Sequence, residues 1–329
     1  MSYTLEPKIG YSTYPKLWLG TWSLGGEGFG AVDGRESVQL LVNALHDGFR
    51  HFDSAQFYAH GKSDAYLAKA IKRSQLKREE IFISGKGGLL WEGNQVHHNG
   101  SEKNLRTTLQ KTLDTYQTDY LDLYQLHWPD PSTPLAESLE YLKQMQKEGL
   151  IRYWGVGNLC GEQLSILSHE SGGKPIPHQV HHNPLHRNDD ILTAGKQNER
   201  CFNCSISPFE QGLLSRRNYR ETQTKLGKKD VRRRNPYFQL PQYQTWLKDY
   251  YQATENLPFP RSVLLLLWQL NQSLVDAVII GPKKPEQFTE ISQALANLDD
   301  TDISSFIHHL DNIAPLPTGL GKAKHRTGC

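Results

Sequence analysis

GFRHFDSAQFYAHGKSDAYLAKAI, residues 48–71, holds one complete unit of this chain's architecture. Phe49–Ala55 is a short, largely apolar run that reads as a strand. A polar turn with Tyr58 follows, and the spacing predicts a helix from about Ser63 to Ile71. The same order recurs on both sides. Upstream, Leu17–Trp22 reads as a strand, followed by a Gly-rich turn and a helix that opens at Asp33-Gly-Arg-Glu36 with capping-box spacing. Downstream, Ile81–Lys86 is a third strand, and Ser101 starts a helix with Leu105, Leu109 and Leu113 on one face. Tyr120–Trp128 is a fourth strand, and its helix stops at Gly149. Ile151–Asn158 is a fifth, Pro177–Asn183 a sixth, Phe202–Ser207 a seventh and Ala277–Gly281 an eighth.

Eight strand–helix units predict an α/β fold, a single (β/α)₈ TIM barrel over 1–329. A long irregular stretch, 216–258, follows the seventh strand near the barrel mouth. An extra C-terminal helix is expected at about Ile303–Ile313, with a mobile tail over 314–329. The rival, a doubly wound sheet with a second domain, would need 216–258 as its linker, and that segment lies too far along the chain to divide balanced halves.

Composition narrows the class. Charged residues are 22% of the 329, which excludes a wholly disordered chain, and a net charge of +2 demands no polyanionic partner. The longest apolar run, Val263–Trp268, is far short of the roughly 20 residues that span a bilayer. The opening MSYTLEPKIG has an acid and a proline where a signal peptide needs an apolar run, so a cytoplasmic location is expected. Four cysteines do not make a disulfide scaffold.

In such a barrel, reactive groups stand at the C-terminal ends of strands. Those positions hold Asp53, Lys86, His127 and Asn158, with Tyr58 in the loop beyond Asp53. The set suits proton transfer at a carbonyl. A free tyrosine has a pKa near 10, and a nearby lysine cation lowers it. Asp53 would hold Lys86 charged, and His127 would orient the substrate oxygen. The alternative is a rim salt bridge with an unrelated tyrosine and histidine. Four such residues at the ends of consecutive units favour a function.

These residues carry a resemblance. GFRHFDSAQFYAHGKSDAYLAKAI (48–71), FISGKGG (82–88), LDLYQLHWPD (121–130), KEGLIRYWGVGN (147–158) and VIIGPKKPEQ (278–287) resemble, in order, the motifs of the aldo-keto reductase family. The likeness runs from LGTW at Leu19–Trp22 to about Leu295. It implies a barrel that reduces aldehydes and ketones with a nicotinamide cofactor and has no Rossmann domain. It implies Tyr58 as general acid, Lys86 and Asp53 as its tuning pair and His127 as the orienting group. For the cofactor it implies Thr21 and Trp22 at the site and Asn158 and Gln179 on the carboxamide. Ile206 would lie under the nicotinamide, where relatives usually place an aromatic ring. SPFEQG (207–212), with Ser207, Phe209 and Gln211, would wrap the pyrophosphate. Gly281, Lys283, Gln287 and Glu290 would hold the adenosine end, Lys283 favouring the 2′-phosphate of NADPH. Gly157, Asp64 and Ala68 replace the usual serine, glutamate and glycine.

The expected partner is a small carbonyl substrate, with no nucleic acid, no membrane and no metal, on a monomer. The alternatives are a nicotinamide-binding regulatory subunit of a membrane channel, and a sugar or polyol dehydrogenase running the same chemistry in reverse. GGEGFG (25–30) lacks dinucleotide-fingerprint spacing and reads as a mobile turn. Cys201 and Cys204 read as reduced strand cysteines facing opposite sides. The pairs His97-His98, His181-His182 and His308-His309 lack metal-ligand spacing, although His181 or His182 borders the cofactor if Gln179 does. Nine Lys/Arg against two acids in Arg216–Arg234 form a basic loop without nucleic-acid recognition features.

Overall fold

In the computed structural model, the residues described are 16–311 except 27, 29, 31, 94, 168–174, 198–200, 224–225, 228–229, 257–258, 297–306 and 308–309. Their strands, in chain order, are β1 (Leu17–Gly20), β2 (His51–Asp53), β3 (Phe82–Gly87), β4 (Leu89–Glu92) and β5 (Gln95–His98). Then come β6 (Leu121–Leu126), β7 (Ile151–Gly157), β8 (Ile176–His181), β9 (Cys201–Ile206) and β10 (Ala277–Ile280). Eight of them are parallel and close into a barrel, β1-β2-β3-β6-β7-β8-β9-β10, with β10 paired back to β1 through Leu17–Val278. The remaining two form an antiparallel hairpin in which Trp91 faces Val96. This is the (β/α)₈ barrel that the strand–helix repeat predicts.

Helices α1 (Gly34–His46), α2 (Lys62–Ser74), α3 (Glu102–Tyr116), α4 (Leu135–Lys147), α5 (Gly161–Ile166) and α6 (Asp189–Lys196) lie between the barrel strands. After β9 come α7 (Pro241–Ala253) and α8 (Arg261–Leu270), and α9 (Pro285–Ala296) follows β10. At the start of α1, the Asp33 carboxylate accepts the Arg35 amide at 2.7 Å, which satisfies one of the free donors of the first turn. Ser101 caps α3 in the same way through the Asn104 amide. The leucines of these helices face the outside of the barrel, where Leu105, Leu109, Leu139 and Leu142 are buried with Leu121, Leu126 and Val156.

Inside the barrel, the N-terminal end is plugged by rings. Trp18 is fully buried and packs against Phe82, His51 and Phe202, with centroids 5.9, 6.2 and 6.5 Å away. Burial of that end leaves the C-terminal end as the open one. Cys201 packs with the outer core and Cys204 with the inner one, as a strand's alternation requires; both are buried, and neither is in a disulfide.

The stretch 216–258 is not irregular throughout. Residues 241–253 form α7, whose Tyr243, Trp246, Leu247, Tyr250 and Tyr251 pack against Leu213, Leu214, Leu264 and Trp268. The spacing i, i+3, i+4, i+7, i+8 is that of an amphipathic helix, written in four aromatic residues and one leucine. Tyr250 and Tyr251 keep their hydroxyls bonded by donating to the carbonyls of Leu214 and Leu213 at 2.9 and 2.6 Å. In the turn at 25–30, the Gly28 carbonyl accepts the Val231 amide at 2.8 Å. Of the expected C-terminal helix only Ile307, Leu310 and Asp311 are described, and the 314–329 tail lies outside the described residues. No helix among the described residues is long and apolar enough to cross a membrane.

Candidate active site

Strand alternation places the reactive side chains. Ser84 and Lys86, two apart on β3, point the same way, and the register sets Ser84 beside Asp53 of β2 and Lys86 beside Gln125 of β6. The Lys86 ammonium is buried and donates to an Asp53 carboxylate oxygen. It also donates to the Ser54 carbonyl and the Tyr58 hydroxyl, each at 3.1 Å. Ser84 and Gln179 hold the other Asp53 oxygen at 3.1 and 2.6 Å, and Gln125 donates to Ser84 at 2.7 Å. Asp53 is therefore a fully bonded buried carboxylate that fixes the lysine.

Tyr58 opens a 3₁₀ turn after β2 in which Ala59 and His60 have left-handed φ of 49° and 54°. Its ring packs edge-on to His127, centroids 5.6 Å apart, and lies 6.2 Å from Trp22. His127 is held by its own backbone. Its amide donates to the Gly87 carbonyl at 2.8 Å, and its carbonyl accepts the Asn158 side chain at 2.9 Å. A Cβ on Gly157 would stand 2.9 Å from that same carbonyl, so glycine permits the approach. The four expected catalytic residues thus converge at one mouth of the barrel.

The electrostatics differ from expectation at Tyr58. Burial raises the phenol's pKa more than Lys86 lowers it, and Asp53 raises it further, so its value lies above 10 rather than below. Burial alone would depress the Lys86 ammonium, but Asp53 and Tyr58 outweigh it and hold its pKa above the ordinary lysine value. Burial, then Lys86 and His98, push His127 well below its usual range, so the ring is neutral. Its Nδ1 is buried and has no protein partner among the described residues.

A cavity of about 1700 Å³ opens at this mouth. Tyr58, His127, Trp22, Phe57, Leu89 and Trp128 line it at one part, and Gly281, Lys283, Gln287 and Glu290 at another. Asp53, Asn158, Gln179, Ile206, Ser207, Phe209 and Gln211 also line it. Thr21 does not: it is fully buried, and its hydroxyl donates to the Ser54 hydroxyl at 2.7 Å. The Gln287 side-chain oxygen accepts the Lys283 and Lys284 amides at 2.8 and 3.1 Å, so those amides at the α9 entrance are already bonded. His181 borders the cavity, whereas His182 is buried and stacks on Trp268. No group of three His, Cys, Asp or Glu among the described residues is arranged to hold a metal.

Three supporting residues escaped the sequence reading: Ser54, Ser84 and Gln125. Each had a signal, since Ser84 and Gln125 stand two residues before Lys86 and His127 on the same strand faces, and Ser54 follows Asp53. Asp64 is buried behind them, accepting from the hydroxyl of Ser54, the side-chain amide of Gln56 at 2.9 Å and the hydroxyl of Tyr116 at 3.1 Å. Burial pushes its pKa up to about 6.

Comparison with known proteins agrees with this fold. The model of the Aldo/keto reductase family matches residues 16–311. The chain is 30% identical to the aldo-keto reductase YhdN of Bacillus subtilis (strain 168), over 97% of this chain and 96% of the relative. It is 29% identical to the NADH-specific methylglyoxal reductase of Escherichia coli (strain K12), over 88% and 93%. Among solved structures, a glycerol dehydrogenase from Gluconobacter oxydans superposes with a TM-score of 0.75 at 26% identity, covering 93% of each chain.

Proposed function

The chain belongs to the aldo/keto reductase family, and on that premise we propose that it is an NADPH-dependent reductase of aldehydes or ketones with Tyr58 as the general acid. The observation that carries the reading is the Asp53–Lys86–Tyr58 chain, whose last link is 3.1 Å, ending at the wall of a cavity shared with His127.

The cavity residues fit a dinucleotide. At about 1700 Å³ it exceeds the usual 300–1,000 Å³ of a small-ligand site. Trp22, Asn158, Gln179 and Ile206 are suited to the nicotinamide end, Ser207–Gly212 to the pyrophosphate, and Gly281, Lys283, Gln287 and Glu290 to the adenosine. When bound, the nicotinamide supplies the hydride for the carbonyl carbon. His127, being neutral, donates a hydrogen bond to the carbonyl oxygen without competing for its proton. Tyr58, with its raised pKa, enters the reaction protonated and gives that proton to the forming alkoxide. The Lys86 ammonium then stabilises the phenolate left behind, and Asp53 keeps Lys86 in place. The aromatic wall of Trp22, Phe57 and Trp128 excludes water from this step.

The choice of NADPH rests on Lys283, which has Lys284 and Arg232 as cationic neighbours. A relative is named as NADH-specific, which makes this the point to measure. The likeness to a glycerol dehydrogenase supports a second reading, oxidation of a polyol hydroxyl with Tyr58 accepting the proton. One experiment tests both. Loss or gain of absorbance from reduced nicotinamide is followed with a panel of aldehydes, ketones, sugars and polyols, for wild type and Tyr58→Phe. Turnover that persists undiminished in Tyr58→Phe would reject the assigned acid, and no turnover with any carbonyl would reject the reductase reading.

A further inference from the structure

Beyond β9 the backbone does something costly. Ser207, Glu210 and Gln211 have φ of 56°, 44° and 54°, and Gly212 has 84°. Three non-glycine residues in the left-handed region within five positions are strained, and such strain persists only where surrounding bonds hold it. Backbone bonds close the turn itself, with the Glu210 amide donating to the Ser207 carbonyl at 3.0 Å and the Gly212 amide to the Phe209 carbonyl at 2.9 Å. One carboxylate ties it to the neighbouring loops.

Glu210 is fully buried. One of its oxygens accepts the Asn235 side-chain amide at 2.7 Å. The other accepts the Asn183 side-chain amide at 2.7 Å and lies 2.7 Å from His181 Nε2. The same Asn183 amide reaches the Ser207 carbonyl at 3.0 Å, so the anchor and the start of the strained segment share a donor. His186 stacks flat on His181, centroids 4.1 Å apart and 9° between planes, and its Nδ1 is bonded to the Tyr237 hydroxyl. Three separate pieces of chain meet on Glu210: the end of β8 with its loop, the turn after β9, and the excursion that carries Asn235. Their cavity-facing members, His181, His186, Ser207 and Gln211, form part of the wall. Burial would push the Glu210 carboxyl up, but His181 and the amide donors hold its pKa at about 2, so the group is an anion. Asp53, Lys86 and Tyr58 take their bonds elsewhere and leave this cluster unexplained by proton transfer.

We propose that Glu210 is the positioning residue of the dinucleotide clamp: with His181 and Asn183 it keeps Ser207–Gly212 in a cofactor-ready conformation and sets how tightly the cofactor is held. This rests on the reading above that Ser207–Gly212 lies against the pyrophosphate. Glu210 itself touches no reacting atom. Because NADPH and NADH share the pyrophosphate, the clamp acts on both alike, whereas a contact to the 2′-phosphate acts on one.

The test compares wild type, Glu210→Gln, His181→Gln and the double variant. Dissociation constants for NADPH and NADH are read by fluorescence, with thermal melting as a fold check and steady-state kinetics at saturating cofactor. Glu210→Gln is expected to weaken both cofactors by the same factor, about tenfold, equivalent to about 1.4 kcal/mol. The cofactor KM rises with it, while kcat at saturation falls by less than twofold and the carbonyl KM stays put. His181→Gln gives a loss of the same kind, and the double variant loses little more than either, as groups in one pair do. If Glu210→Gln does not fold, His181→Gln carries the test alone by the same criterion. Affinity unchanged in both single variants, or a loss confined to NADPH, overturns the assignment. If wild type binds neither nucleotide, the cofactor reading fails first and takes the clamp with it; if wild type binds and the variants bind as tightly, only the clamp falls.

Discussion

Trp91 lies flat against Phe57, ring centroids 4.8 Å apart and planes within 2°, and its indole nitrogen donates to the Phe57 carbonyl at 3.1 Å. Phe57 lines the cavity and is the residue before Tyr58, so the β4–β5 hairpin buttresses the proposed general acid from outside the barrel. Stacking and the hydrogen bond each contribute on the order of 1 kcal/mol. Trp91→Ala is expected to lower kcat/KM for carbonyl substrates about tenfold and to leave cofactor affinity unchanged. Trp91→Phe, which keeps a ring, should recover part of the loss. Steady-state kinetics with a cofactor titration checks this, and equal loss in both variants would remove the stack from the account.

Tyr58→Phe deletes only the acidic hydroxyl. General acids supply about 10²–10⁴ in rate, so turnover should fall by that order while the cofactor dissociation constant stays near wild type. Cofactor titration beside single-turnover kinetics separates the two effects.

Gly157→Ala would push a methyl to 2.9 Å from the His127 carbonyl, a backbone atom that cannot swing aside. The strand end must shift, and with it the His127 ring and the Asn158 bond to the same carbonyl. Small misplacements of catalytic groups cost up to about a hundredfold, so a fall of ten- to a hundredfold in kcat is expected, with the fold intact by circular dichroism. Activity at wild-type level would show that β7 yields more easily than its packing implies.

Acid should destabilise this protein early. Burial pushes His51, His178 and His182 down to about 3, and His127 is also strongly depressed. The unfolded chain takes up these protons near 6.5, while the folded one cannot until far lower, so the stability present above 6.5 is lost as pH falls toward 3. Asp64, with a folded pKa of about 6, and Asp189, also raised by burial, work the other way, but they are two carboxyls against four histidines. Neither ring nitrogen of His178 has a protein partner among the described residues. His178→Leu should therefore flatten the acid limb of stability by about 1.4 kcal/mol per pH unit. Denaturant melts at pH 7, 6 and 5 measure that slope, and parallel slopes for variant and wild type would contradict it.

Lys283→Ala should separate the two nicotinamide cofactors. A hydrogen bond to a charged group is worth about 1.5–3 kcal/mol, so NADPH binding should weaken tenfold to a hundredfold while NADH binding hardly changes. Gln287 already bonds the Lys283 and Lys284 amides, which leaves the lysine side chain rather than the helix entrance to meet the phosphate. Burial, then the cations Arg232 and Lys284, depress the Lys283 pKa, while Asp230, paired with Arg232, works against them. Equal loss for both cofactors would move the 2′-phosphate site elsewhere.

What was legible in the sequence is what local spacing encodes. Alternation and helical periodicity suffice for the barrel, and once strands have ends, Asp53, Lys86 and His127 must stand at one mouth, because in a parallel barrel all strands point the same way. The helix α7 lies inside a stretch that reads as irregular, although four aromatic residues and Leu247 at 243, 246, 247, 250 and 251 carry its helical spacing. What only the tertiary structure decided depends on distance through space and on burial. Gln179 reaches Asp53 across 126 residues of chain, and the Thr21 hydroxyl donates to Ser54. Glu210 collects His181 and Asn183 from the end of β8 and its loop and Asn235 from the excursion after β9. The proton affinity of Tyr58 is of the same kind. Its sequence neighbours name a lysine that would lower the pKa, but the loss of water around a buried phenol outweighs that cation, and solvent exposure is a property of the whole packed chain rather than of any motif.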